Sequence, residues 1–162
     1  PLTGKIIAIG YQFDIDEPEV LAGDDEAELL RQFFEKIKNR YTKETVHTTV
    51  DLVTFNGKSF DFPYLAVAAA RHGLALPLRY DVYSKKYGFE HRDLKMMLAD
   101  TFGQAGTLSE WVTRFGGTPP KGSGKEVYDL YVTGQWDKIV EHCKGDIEAT
   151  DFLDSQILNS WY

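Results

Sequence analysis

The sequence predicts an α/β domain, and three observations predict it. Apolar, β-branched runs at residues 6–13 and 50–55 read as buried strands. After each comes a stretch that reads as a helix, the first with apolar residues at three- and four-residue steps. The chain then closes on one long helical pattern at residues 136–160. A length of 162 residues suits one domain over 1–162.

The elements follow in order. Ile6-Ile7-Ala8-Ile9-Gly10-Tyr11-Gln12-Phe13 is the first strand, Asp14-Ile15-Asp16-Glu17-Pro18 a turn, and residues 19–22 a short returning strand. Asp24-Asp25 offers an N-cap and puts acids at the positive end of a helix. Leu29, Leu30, Phe33, Phe34 and Ile37 then share one face, with Arg31, Glu35 and Lys38 on the other. The strand at 50–55 runs into Asn56-Gly57, a turn signal. A helix over 61–73 follows, with Pro63 in its first turn and Gly73 as its stop. Residues 74–89 carry Pro77 and several tyrosines without a clear period. Residues 91–99 read as helix, 108–115 as a short helix ended by Gly116-Gly117, and 118–125 as a flexible segment.

Composition excludes several function classes. Hydrophobic residues make up 43% and aromatics 14%, ample for a core and contrary to disorder. Lys+Arg is 18 against 25 Asp+Glu, a net charge of -7, so a broad electrostatic grip on duplex nucleic acid is not expected. Local binding of a phosphodiester through metal ions stays open. One cysteine, Cys143, excludes an internal disulfide and a cysteine-only zinc site, and fits a reducing, cytoplasmic setting. No apolar run approaches the roughly 20 residues of a membrane span, so no membrane partner is expected.

Two segments carry the chemistry. In Phe55-Asn56-Gly57-Lys58-Ser59-Phe60-Asp61-Phe62-Pro63-Tyr64-Leu65, Asp61 falls where the C-terminal end of a strand meets a helix, the edge where ligands tend to bind in open α/β sheets. In His142-Cys143-Lys144-Gly145-Asp146, the histidine and the aspartate are four apart and share one helical face. Two acids, one on each element, suit hard divalent cations, which prefer oxygen ligands.

The Asn-x-x-x-Phe-Asp-x-Pro-Tyr-Leu string of residues 56–65 resembles the second motif of the DEDD 3′→5′ exonucleases. It is most similar to the proofreading domain of family-B DNA polymerases and its stand-alone bacterial relatives. Gly4-Lys5-Ile6-Ile7-Ala8-Ile9-Gly10 resembles the family's second strand, the residues from Glu28 to Phe33 its first helix, and the last helix its third motif. The resemblance implies an RNase H-like mixed β-sheet flanked by helices. It also implies two Mg²⁺ or Mn²⁺ ions, with Asp61 and Asp146 as metal ligands and His142, Asp61 and Asp146 as the catalytic set. The implied reaction is hydrolysis of the terminal phosphodiester at a single-stranded DNA or RNA 3′ end, releasing nucleoside 5′-monophosphates. Asn56 is either a turn residue or a substrate contact, and Phe60 either core or a base-stacking platform; both stand as substrate-binding candidates.

Two departures qualify the match. The family's first motif, an Asp-x-Glu pair on the first strand, has no counterpart at its expected place, so the domain is expected to be incomplete at its N-terminus. Asp14 and Asp16 imitate that motif, but their turn chemistry and Pro18 favour a polar turn. The second departure is His142, which stands at the spacing where one branch of the family carries Tyr. A histidine there can orient or deprotonate water; the plain alternative is an i,i+4 pair with Asp146. The rival classes are a catalytically degenerate nucleic-acid- or protein-binding module of the same fold, and a phosphohydrolase acting on small phosphates. Further residues have mundane readings: a cap or mutual pair for His91 and Asp93, a solvated helix face for Asp151 and Asp154, and a solvated loop for Lys121 and Lys125.

Overall fold

The computed structural model describes residues 4–40, 52–77 and 91–161. The first apolar run forms β1 (Ala8–Tyr11), which pairs antiparallel with β2 (Glu19–Ala22) in the register Ala8↔Ala22 to Tyr11↔Glu19. Between them the chain turns with Asp14 at φ 50°, a left-handed conformation that Asp tolerates better than most residues. Helix α1 (Glu26–Arg40) follows, and the Asp25 carboxylate accepts from the Glu28 amide at 3.0 Å, the N-cap expected from the sequence. At the far end of α1, Arg40 reaches Asp14 at 2.8 Å and Asp16 at 3.4 Å. Both acids of the imitation motif are thus spent on a surface ion pair.

Alternation along β1 places helices on both of its faces. Ile9 and Tyr11 pack with Leu29, Leu30 and Phe34 of α1 and with Ala68 and Ala69 of α2 (Asp61–Arg71). Gly10 faces the other way: a Cβ there would lie 2.8 Å from Ile147 Cδ1 on α6 (Trp136–Trp161), so glycine lets the helix lie this close without moving that side chain.

The second strand region forms β3 (Leu52–Thr54), which pairs in parallel with β4 (His91–Asp93). The helix expected over 91–99 is therefore corrected: three extended residues come first, and α3 (Leu94–Phe102) starts after them. The cause is Asp93, whose side chain caps α3 by accepting from the Met96 amide and so fixes the boundary. Leu94 and Leu98 join Trp111 and Val112 of α4 (Leu108–Arg114) and Ala149, Leu153 and Ile157 of α6 in a second core. A reciprocal Thr107–Glu110 capping box starts α4. Helix α5 (Val127–Val132) is too short to show a period in the sequence. Its Tyr131 hydroxyl donates to Asp24, which also pairs with Lys5.

Among the described residues, the strands make two two-stranded sheets, one antiparallel and one parallel. The expected mixture of strand directions and flanking helices is present; one continuous sheet is not. Helix α6 packs against β1, β2 and β3 as well as α4 and α5. This crowding corrects the solvated reading of Asp154, which is buried and accepts two hydrogen bonds from the Arg92 guanidinium at 3.1 and 2.9 Å. Residues 50 and 51, and 78–89 of the unpatterned stretch, lie outside the described residues. No described helix is long and apolar enough to cross a membrane.

One polar cluster sits inside the packing. Glu26, in the first turn of α1, is only 6% exposed. Its carboxylate accepts from the Ile6 amide at 2.6 Å, lies 2.7 Å from Arg71 Nη2 and 2.7 Å from His72 Nε2, and so ties the approach to β1, α1 and the end of α2 together.

Candidate active site

Asp61 is the first residue of α2, presented by the loop that leaves β3. Asn56 turns that loop with φ 73°. Three consecutive amides then meet side chains of β3 and β4. The Asn56 amide donates to Asp93 Oδ1 at 2.9 Å, the Gly57 amide to Thr54 Oγ1 at 3.2 Å, and the Lys58 amide to Asp93 Oδ2 at 3.0 Å. A Cβ on Gly57 would fall 2.4 Å from Thr54 Oγ1, which explains glycine at that position. The Asn56 carbonyl accepts from the Ser59 and Phe60 amides, so Asn56 shapes the turn through its backbone. Phe60 is 54% exposed, with its ring 4.9 Å from that of Tyr64. The core reading of Phe60 is corrected: it precedes α2 on the outer side of the loop, and its ring stays accessible.

The second half of the site comes from the middle of α6. His142 Nδ1 lies 3.0 Å from the Lys121 carbonyl oxygen, and Nε2 lies 3.5 Å from Asp146 Oδ2. A carbonyl only accepts, so Nδ1 is the donor to Lys121 and Nε2 is directed toward Asp146. The Lys121 amine is itself 91% exposed and 3.7 Å from Glu141, a solvated loop side chain. Cys143 is packed beside Gly10.

The electrostatics tie the two halves together. Burial against the protein, followed by the charges of Asp93 and Asp146, pushes the Asp61 carboxyl above the usual carboxylate range, although its outer side stays open to solvent. Burial also raises Asp146, with His142 acting the other way. The Cys143 thiol is pushed up to about 11, by burial first and then by Asp146 and Asp61, which makes it an inert thiol. Asp61, Cys143 and Asp146 therefore share one electrostatic neighbourhood. Among the described residues, neither carboxylate pairs with a lysine or arginine. Two hard-oxygen donors, one raised by the charge of the other, fit a divalent cation in kind. They do not fill its coordination sphere: no group of three His, Cys, Asp or Glu among the described residues could hold a metal ion. Asp14 and Asp16 add nothing there, because they serve Arg40.

His91 and Asp93 support the site from below. His91 Nε2 lies 2.7 Å from Thr54 Oγ1 and its ring packs on Phe62. Burial, then the neighbouring Lys58 charge, lowers its pKa from the ordinary 6.5 to about 4. The folded state thus holds His91 neutral where an unfolded chain would take up a proton. Stability should fall as the pH drops from about 6.5 toward 4. Urea unfolding at several pH values should show this slope, and His91→Gln should flatten it; an equal slope in the variant would remove His91 as its source. The structural part of Asp93 was legible as an Asp just before an apolar helical pattern, the usual cap signal. Its two contacts with the loop of residues 56–58 had no sequence signal.

Asp61, at a strand-to-helix loop of a mixed α/β domain, thus feels the charge of Asp146, a turn beyond a histidine. The chain belongs to the family described as predicted 3′-5′ exonucleases related to the exonuclease domain of PolB, whose model it matches over residues 12–154. No curated protein matches the chain.

Proposed function

We propose that the protein is a metal-dependent 3′→5′ exonuclease of RNase H-like fold that trims single-stranded DNA or RNA ends to nucleoside 5′-monophosphates. The observation that carries this reading is that Asp61 and Asp146, from two elements, fall in one electrostatic neighbourhood with no lysine or arginine paired to either among the described residues. Two Mg²⁺ or Mn²⁺ ions supply charge neutralisation and polarise water in such sites. Asp61 and Asp146 would be the residues that hold them. The family resemblance implies an Asp-x-Glu pair as the rest of the ligand set. The exposed Phe60–Tyr64 pair offers a stacking surface to a terminal base, next to Asp61. His142, its Nδ1 engaged by Lys121, presents Nε2 as the atom that orients a water or takes its proton.

The test is direct. End-labelled single-stranded DNA and RNA are incubated with the full chain and Mn²⁺, or with EDTA. A metal-dependent ladder from the 3′ end is expected. Binding without cleavage would favour the second reading, a degenerate binding module, which the lack of a three-ligand cluster among the described residues supports. In an active protein, His142→Ala should slow cleavage by about 10²–10⁴-fold, the usual worth of a positioned base. His142→Tyr should fall between, because a phenol orients water but is a poor base at neutral pH. An alanine variant with the wild-type rate would reduce His142 to a helix-surface residue.

A further inference from the structure

We propose that Asp93 is the positioning residue of this site: its buried carboxylate is an internal anion that clasps residues 56–58 and so fixes the place of Asp61 at the start of α2. The importance of Asp61 rests on the exonuclease reading; the clasp itself does not. Amides that converge around a left-handed residue form a concavity suited to an anion. Here Asn56 supplies the left-handed residue, and the amides of Asn56 and Lys58 point at one carboxylate. In this loop the anion is the protein's own side chain, 1% exposed and closed to exchange with solutes. The parallel register Thr54↔Asp93 brings it there. Thr54 completes the clasp through the Gly57 amide and is steadied by His91.

The chemistry demands a carboxylate of this length. Asparagine keeps one acceptor oxygen but replaces the other with an NH₂ group, which would meet a backbone donor with another donor. Glutamate adds a methylene where no space is open. Asp93 also caps α3 through Met96, so one side chain fixes the loop that leads into α2 and the helix that follows β4. Four residues separate Asn56 from the start of α2, and this clasp, the turn bonds to the Asn56 and Gly57 carbonyls and the packing of Phe60 on Tyr64 tie them down. Loosening it should let Asp61 wander while leaving both cores packed.

Amide hydrogen exchange followed by NMR tests the clasp in Asp93→Asn, in Thr54→Val and in a control, Asp154→Asn, which breaks a different buried pair on β4. The Asn56 and Lys58 amides should exchange at least about tenfold faster in Asp93→Asn, with Leu30 and Leu153 at wild-type rates. Thr54→Val should release the Gly57 amide alone, and Asp154→Asn should leave the loop protected. In cleavage assays, Asp93→Asn should lose about tenfold or more in kcat with little change in KM, since small misplacements at a reacting centre are costly; Asp154→Asn should keep the wild-type rate. Exchange rising equally across the whole domain, or loop amides that stay protected, would overturn the proposal. If Asp93→Asn does not fold, Thr54→Val decides: unchanged protection of Gly57 overturns the clasp. A wild-type protein that cleaves nothing would sink the exonuclease reading, and the exchange pattern would still decide the role of Asp93.

Discussion

Asp61→Asn and Asp146→Ala should each lower cleavage of a single-stranded 3′ end by orders of magnitude while leaving the fold intact. Asparagine keeps the shape of Asp61 and removes the charge that a divalent cation needs. Alanine at 146 removes the oxygen ligand outright, so the second loss should be at least as deep. Stability should respond in the opposite sense. The Asp61 carboxyl is raised by burial and by the charges of Asp93 and Asp146, so its ionised form is a burden on the folded state at neutral pH. Removing that charge should leave the Tm unchanged or slightly higher. Rates and thermal melts on the same preparations check both parts. Wild-type turnover by a folded Asp61→Asn protein would take Asp61 out of the site, and the reading of the pair with it.

Glu26→Ala should be strongly destabilising, costing about 3 kcal/mol of the 5–15 typical of a domain. Alanine removes the acceptor shared by the Ile6 amide, Arg71 and His72, and leaves Arg71 its bond to the Gly4 carbonyl. The cost sits at the lower end of the range for broken buried pairs because Arg71 is 39% exposed and can turn to water. Burial alone would raise the Glu26 carboxyl, but the Ile6 amide, His72 and Arg71 hold it below its ordinary value near 4.5. Its contribution is therefore present above about pH 4.5 and is lost as the pH falls through the lowered folded value. In urea titrations the gap between wild type and variant should narrow as the pH falls below about 4.5. A difference under about 1 kcal/mol at pH 7 would mean that the cluster behaves as an ordinary surface pair.

The contrast between these residues shows what periodicity can and cannot reveal. Leu29, Leu30, Phe34 and Ile37 were legible because a helix buries one stripe, and the stripe is written at fixed steps. The turn at Asn56-Gly57, the last helix and the i,i+4 relation of His142 to Asp146 were legible for the same local reason. Glu26 was not: an acid in the first turn of a helix satisfies the dipole rule, and that rule is silent on Arg71 and His72 arriving from 45 and 46 residues away. Asp154 and Asp93 share this blindness, since each is buried by a partner on another element. Residues 91–93 failed as helix because a three-residue strand is too short to show alternation, and its pairing with β3 is long-range.

Helix α6 carries the His142–Asp146 face and the buried Ile139, Ala149, Leu153 and Ile157 on one uninterrupted rod. Its residues follow one another at roughly 100° around the axis. A single codon inserted or deleted between Asp146 and Ala149 would therefore swing the acid and the histidine about a quarter-turn against the apolar stripe that seats the helix. No local adjustment of a side chain restores that angle. The connection at residues 118–125 has no such phase to keep, apart from the Lys121 carbonyl that meets His142. Natural length variation among relatives should accordingly collect in that connection and spare the stretch from Ile139 to Ile157, so the spacing of this helix is as much a part of the site as the residues it carries.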